Sequence, residues 1–407
     1  MGVAAADDAT SGDRGLDSLF EKHGGRVEVV LARLAKNGHA VGEGTAYDAI
    51  WALRFCLSNE SDDDAVSNAE ETLVWRAANR QILDAAASGQ KLAKFAALEN
   101  LVITDYHGFT KSGSPLFVVR AGISNPGALM DDYSFHDVVE FLMYRKELGF
   151  LLCDKITRGT NTLTKLVTIN DLNHVSLVSG TDSRFSKVLG AVSKISEAVY
   201  PQLLDRAVLI NVPYVFSTMW SLVKGFLSKK TVGKVSVFAV SDTRSGDIGK
   251  CPFAKFLDLE TVPSFLGGNC RCAGGCLCGV SNEQTTMVGV TNAEGFTSAY
   301  VAARGSHTVW RDCSAGDVVV CRVAVDDGKG IAIGVSVAPT PAKDAPQKIP
   351  TTLVKKFKHK PRIGGAQWEH TLTVPINGTL VLELGNEGSL LTGKQVQYKV
   401  DVVRRGT

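Results

Sequence analysis

The stretch RAVLINVPYVFSTMWSLVKGFLSKKTVGKVSVFAV, residues 206–240, decides how this chain is read. Arg206 to Val212 has the length and apolar content of a buried strand, and Pro213 suits the first turn of a helix, where a missing N–H costs nothing. Phe216, Met219, Trp220, Val223, Phe226 and Leu227 then recur at three- and four-residue spacing, which gives one helix a broad apolar face. Thr231-Val232-Gly233-Lys234 leads into a second apolar run, Val235 to Val240. Strand, greasy helix, Thr/Lys pair and strand suit a movable wall over an apolar cavity with a cation at its rim. An ordinary strand–helix–strand unit with a core helix has the same pattern.

The residues themselves resemble a known family. Tyr200-Pro201, Leu209-Ile210-Asn211-Val212-Pro213, Phe216-Ser217, Lys224-Gly225-Phe226-Leu227, Lys230-Thr231 and Lys234 are similar to the central signature of the CRAL-TRIO lipid-transfer proteins, including the phosphatidylinositol/phosphatidylcholine carriers of the Sec-fourteen type. Arg54-Phe55 and Trp75-Arg76 resemble landmarks of that family's helical N-terminal subdomain. Gly113 to Arg120 resembles its first strand, Asp171-Leu172 its D-L turn, and Val262 to Gly268 its closing L-P-x-x-x-G-G run. The resemblance spans roughly residues 45–270, in order.

Composition agrees with a multidomain chain. There are 407 residues, 44% hydrophobic, with a net charge of +2, so neither nucleic acid nor a whole-surface membrane field is an expected partner. The start MGVAAADDATSGD is acidic where a secretory signal needs a basic start and an apolar run, and position 6 is Ala where myristoylation prefers Ser or Thr. The apolar run Ala207 to Leu227 has spanning length, but Asn211, Pro213 and Lys224-Gly225 divide it into two short elements. The expectation is a cytoplasmic protein in transient, peripheral contact with membranes of the Golgi or endosomes.

The chain divides into five parts. Residues 1–15 read as a disordered tail and 16–95 as a helical subdomain, with one helix ended by Asn37-Gly38, a second from Tyr47, and a third after Asp62-Asp63-Asp64. Residues 96–268 alternate strand and helix: Leu116–Arg120, Phe135–Leu152, Leu166–Asp171, Phe185–Val199, then the opening stretch. Residues 269–282 are a Cys-rich linker, and 283–407 turn to period two with no convincing helix, as in a β-sandwich. Val318 to Val325 is apolar at both parities and reads as a strand buried on both faces. Trp368-Glu369 and Lys394-x-Val396-x-Tyr398-x-Val400 resemble the GOLD domain, so the whole resembles patellins and tocopherol-associated proteins. The expected fold is an α/β CRAL-TRIO domain with an N-terminal helical subdomain and a C-terminal all-β GOLD sandwich.

Catalytic patterns are missing. There is no G-x-S-x-G and no H-E-x-x-H, and Gly388 to Lys394 satisfies G-x4-G-K only to be followed by Gln395 and an alternating strand, whereas a phosphate loop opens a helix. His107 and His174 stand near strand ends and read as structural. The nine cysteines, odd in number, read as reduced thiols. Cys270, Cys272, Cys276 and Cys278 have donors for a soft metal but lack a distant second pair, so a thiol-rich linker is the default. No enzyme activity, cofactor or metal is expected.

The resemblance also implies a ligand set. Thr231 and Lys234 match the pair that meets an inositol phosphate; Gln202 stands where the family has an acid, and Asn59-Glu60 where it has a basic pair. Tyr106, Phe117 and Ser176 fall at the choline-lipid contacts, with Phe117 lacking a hydroxyl. Phe216, Met219, Trp220, Val223, Phe226 and Leu227 would form the gate helix and pocket wall. Lys355, Lys356, Lys358, Lys360 and Arg362 lie in a cationic run, read as either a solvated loop or a contact for anionic lipid. The expected function is to bind a membrane phospholipid such as phosphatidylinositol or phosphatidylcholine in a closable apolar pocket and to transfer or present it. Alternatives are a trafficking adaptor working through protein partners of the GOLD domain, or a carrier of a tocopherol- or sterol-like ligand.

Overall fold

The computed structural model describes residues 13–173, 182–212, 229–239, 252–272, 275–277, 280, 282, 288, 290–291, 295–301, 305–325, 331–339, 352–359, 368–386 and 394–404. Five helices come first: α1 (Leu16–Lys36), α2 (Ala49–Cys56), α3 (Asp62–Ala78), α4 (Arg80–Ser88) and α5 (Ala93–Glu99). Their ends follow local chemistry. Asp48 caps α2, and Ser61 caps α3, whose first turn holds the three acids that favour a helix N-terminus. Arg14 and Gly15, expected in the tail, are engaged: Arg14 pairs with Asp205 at 2.6 Å and Gly15 bridges Thr162.

A five-stranded sheet follows in the order β1 (Thr104–Phe109), β2 (Pro115–Arg120), β3 (Leu166–Asp171), β4 (Leu204–Val212), β5 (Val235–Ala239). β1 runs antiparallel to β2, and the other pairs are parallel. The crossovers carry α6 (Pro126–Asp132), α7 (Phe135–Thr160) and α8 (Ser183–Val199), with α9 (Lys229–Val232) before β5. A capping box between Ser134 and Asp137 starts α7.

Strand parity separates the two sides of this sheet. Leu116, Val118, Val167, Ile169, Val208 and Ile210 join one buried cluster with Phe253, Leu257 and Leu266. Their alternates Phe117, Val119, Thr168, Asn170, Ala207 and Leu209 line a cavity on the opposite face. A strand's side chains alternate between faces, so one continuous apolar run supplies both a sealed core and a cavity wall.

The C-terminal part is all β among the described residues. One sheet has the order β11 (Thr352–His359), β10 (Ile331–Pro339), β13 (Gly378–Gly385), β8 (Ser306–Cys313), and the other β12 (Trp368–Thr373), β9 (Val318–Val325), β14 (Lys394–Val403), β7 (Thr297–Val301), β6 (Val290–Thr291). Every pair is antiparallel, and both sheets feed one core through residues such as Cys321, Val323, Val335, Leu380 and Leu382.

Two local expectations are corrected. β9 is buried on one face only: Val319, Cys321, Val323 and Val325 face the core while their alternates are half-exposed, because Arg322 must reach Glu369 and Asp401, each at 2.7 Å. Of the two readings of the cationic run, the solvated loop does not hold for its first part: Thr352–His359 is an edge strand, with Lys355 opposite Val335 and Lys358 opposite Ala332. Among the described residues no helix is long and apolar enough to cross a membrane.

Candidate functional site

The cavity holds about 1340 Å³ between the sheet and α8. Small-molecule pockets usually run to about 300–1000 Å³, so this one suits a larger guest. Leu142 of α7, Phe185, Leu189 and Val192 of α8, and Leu166 and Val235 at the sheet supply apolar wall. Polar groups gather at one end, where β3, β4 and β5 begin. Lys165 stands just before β3, Gln202 and Leu204 at the start of β4, and Thr231 and Lys234 before β5.

Hydrogen bonds hold this polar end together. Lys165 Nζ donates to Gln202 Oε1 at 2.7 Å, and Gln202 Nε2 donates to Ser58 Oγ at 3.0 Å and to the Leu57 carbonyl at 3.2 Å. Gln202 has φ 61°, a left-handed conformation uncommon for a side-chain-bearing residue, and this threefold engagement holds it there. Lys234 Nζ donates to the Leu204 carbonyl at 2.6 Å, and Thr231 Oγ1 donates to Glu197 of α8.

The electrostatics favour an anion. Burial pushes Lys165 down to about 8, and Arg14 and Lys234 push in the same direction. Lys146 of α7 also lines the cavity, with Nζ 5.6 Å from the centre of the Phe117 ring, and burial lowers its pKa. Desolvation of an ammonium disfavours its charged form, and a bound phosphate would offset that cost.

The structure brings Phe117, Gln202, Thr231 and Lys234 to one cavity and does not bring Tyr106 there. The Tyr106 hydroxyl donates to the Arg145 carbonyl, and its ring packs on Phe117 with centroids 4.8 Å apart. Gly149 makes room for that ring, since a Cβ there would stand 2.5 Å from the Tyr106 hydroxyl. Asn59 does line the cavity, its Oδ1 accepting from Asn68 at 2.6 Å.

Ser176, the gate residues Phe216, Met219, Trp220, Val223, Phe226 and Leu227, and Lys360, Arg362 and Cys278 lie outside the described residues, as does the Gly388 loop. Lys355, Lys356 and Lys358 are described as strand backbone alone.

Lys165, Lys146 and Glu197 were not anticipated. A lysine beside a strand looks solvated until the parallel pairing of β3, β4 and β5 sets it against Lys234. The resemblance implies an acid after Tyr200-Pro201, where this chain has Gln202, whereas the acid at this end, Glu197, comes from α8, one turn before Tyr200.

A mixed α/β sheet with helices over it thus encloses a large cavity that has apolar walls and a cluster of polar groups where β3, β4 and β5 begin. Residues 100–268 match the CRAL/TRIO domain family, so the chain carries a CRAL/TRIO domain. The phosphatidylinositol/phosphatidylcholine transfer protein SFH9 of Arabidopsis thaliana is 29% identical over 233 residues, covering 55% of this chain and 38% of the relative. The Sec14 cytosolic factor of Schizosaccharomyces pombe is 30% identical over 175 residues, covering 42% and 57%. The crystal structure of Sfh5 superposes with a TM-score of 0.43 at 18% identity, covering 57% of this chain and 82% of that one. The chain thus spans well under two thirds of the length of these two curated relatives.

Proposed function

We propose that this chain is a carrier that encloses one membrane phospholipid and moves or presents it between membranes. The observation that carries this reading is the cavity of about 1340 Å³, apolar along its walls and cationic at the end formed by Lys165 and Lys234. An acyl chain gains roughly 0.8 kcal/mol per methylene on leaving water, so a phospholipid in transit needs such an enclosure. Its phosphate would sit at the end where desolvated Lys165, half-buried Lys234 and the Thr231 hydroxyl line the cavity. The names of relatives as phosphatidylinositol/phosphatidylcholine transfer proteins support the same class of guest. Gln202 and Asn59 leave the headgroup end without the acid and basic pair that the resemblance implies for inositides, while Lys165 returns one cation and Glu197 one acid. A phosphatidylcholine-like or phosphatidylinositol-like headgroup is therefore favoured over a phosphate-free tocopherol or sterol.

The C-terminal sandwich, read as a GOLD domain, would dock the carrier to a membrane or to partner proteins. In this reading the protein works from the cytoplasm without catalysis. Native mass spectrometry of the purified full chain tests the core of the reading. One phospholipid per chain is expected, and it should be depleted in Lys165→Ala/Lys234→Ala. A cavity that stays empty, in the purified protein and after incubation with mixed phospholipid vesicles, would favour the adaptor reading instead.

A further inference from the structure

A second cluster lies away from this cavity, on the other side of β1. His107 belongs to β1, and Cys270, Cys272 and Cys276 follow the Gly267-Gly268 turn that closes the α/β domain. His107 is 163 residues before Cys270, so the cysteine spacing by itself does not show a distant ligand.

The donor atoms converge. His107 Nε2 is 3.2 Å from Cys270 Sγ and 4.0 Å from Cys272 Sγ, and the two sulfurs are 3.5 Å apart. With Cys276 Sγ included, all four atoms lie within 4.8 Å of one another. Zinc binds sulfur at about 2.3 Å and nitrogen at about 2.0–2.1 Å, so a tetrahedral site needs edges of about 3.8 Å between sulfurs and about 3.6 Å between nitrogen and sulfur. The observed separations bracket those lengths.

The backbone around the cluster is built to hold it. The pairing register of β1 shifts between Tyr106 and Phe109, a bulge of the kind that re-aims a side chain. Gly108 within it has φ +87° and would place a Cβ 2.9 Å from the Thr261 carbonyl, so β1 runs against the closing turn here. A Cβ on Gly268 would stand 2.1 Å from the Val262 carbonyl, which brings the chain back for Cys270 N–H to donate to that carbonyl at 3.0 Å. Cys272 begins a turn in which Gly275 N–H donates to its carbonyl at 3.0 Å.

An outer partner is present too. Buried Asn282 accepts from Cys276 N–H at 3.0 Å, and its Nδ2 stands 3.2 Å from Cys276 Sγ and 2.9 Å from Ser264 Oγ. Such partners fix ligand orientation in metal sites.

We propose that His107, Cys270, Cys272 and Cys276 form a structural zinc site that fastens β1 to the segment leading out of the α/β domain. Binding releases three thiol protons, and neutral imidazole completes four ligands. This is independent of what the lipid cavity holds. Exposed Cys272 gives the ion a way in, while buried Cys276 closes the inner side.

The test uses the reduced full-length protein. Elemental analysis should find one zinc per chain, and cobalt(II) in its place should show tetrahedral ligand-field bands with sulfur-to-metal charge transfer of three thiolates. A chelator should lower the melting temperature of the wild type and leave His107→Ala unmoved. Asn282→Ala should weaken metal binding by about ten- to a hundredfold. Less than about a tenth of an equivalent of zinc with no cobalt spectrum, full affinity in His107→Ala, or a four-thiolate spectrum lost in Cys278→Ser would each overturn the assignment. The cobalt spectrum of the wild type counts thiolates by itself, so the outcome does not depend on any variant folding.

Discussion

Lys165 concentrates the chemistry of the cavity in one side chain. It sits at about 8 in the folded chain against 10.5 for free lysine, so between those values the unfolded chain holds a proton that the folded chain has released. Stability of the empty protein should therefore climb as pH rises from about 8 to 10.5. Lys165→Met should remove that climb, and so should a bound phospholipid, whose phosphate restores the charge. Denaturant titrations at pH 7, 8, 9 and 10 check this, and an equal climb in the methionine variant would place its origin elsewhere. Lys234 gives the matching test of binding. Lys234→Ala should weaken phosphatidylinositol or phosphatidylcholine transfer by about 1.5–3 kcal/mol, roughly ten- to a hundredfold, by losing a charge-assisted contact. Transfer of a phosphate-free sterol should hardly change; equal loss for both would mean that its bond to the Leu204 carbonyl supports the fold instead.

At the scale of elements, a buried ion pair is set into the apolar seam between the helical unit and the α/β unit. Arg76 of α3 forms a two-pronged bond to Glu147 of α7 at 2.7 and 3.0 Å, both residues buried, with the guanidinium also 5.8 Å from the Phe150 ring centre. Arg76→Ala should cost about 3–5 kcal/mol, because Glu147 is left charged and buried; Arg76→Met with Glu147→Leu should recover most of it. Thermal or urea unfolding of the three variants decides, and a double variant as weak as the single would refute the pairing argument. The edge strand β11 invites a different substitution. Edge strands rich in lysine resist pairing with other chains, so neutralising Lys355, Lys356 and Lys358 with Lys360 should promote self-association as well as lower binding to anionic vesicles. Light scattering and vesicle sedimentation separate the effects, and a variant unchanged in both would leave the run without a role at the surface.

These elements also show what was legible beforehand. β3 stands at Leu166–Asp171 as expected, since a short apolar run bounded by turn residues has few other readings. The landmark residues Arg54 and Arg76 owe their place to packing: both are buried against Phe150. α4 and α5 were missed because 9 and 7 residues give a helical period too few turns to stand out, although Ile82, Leu83, Ala85 and Ala86 of α4 share a buried face. α1 runs from Leu16 straight through Gly24-Gly25, although glycine is a poor helix former. β11 was hidden by its own charge. Of the cavity, Thr231 and Lys234 stood out in the opening stretch and Phe117 and Gln202 came from the resemblance, while Lys165 was not foreseen; neither it in the cavity nor His107 in the separate cysteine cluster was legible, because their partners are brought to them by strand pairing and by a closing turn far along the chain.

The whole molecule has separable cores. One buried cluster joins the N-terminal helices to α7, α8 and β2, a second fills the opposite face of the five-stranded sheet, and a third belongs to the sandwich alone. Cores that share no residues can unfold separately. Calorimetry of the full chain should therefore show two transitions, with Leu382→Ala lowering that of the sandwich by about 2–5 kcal/mol through the cavity it leaves, and leaving lipid retention intact. Phospholipid loading should act on the other transition. A guest that binds only the folded state adds about 2.7 kcal/mol at a free concentration a hundred times its Kd, and that gain belongs to the unit enclosing it. Loading from phosphatidylcholine vesicles should then raise the transition of the α/β unit and leave the sandwich transition in place. If both rise together, the sandwich contributes to the closed cavity and the two units act as one; if neither rises, the cavity does not hold this lipid.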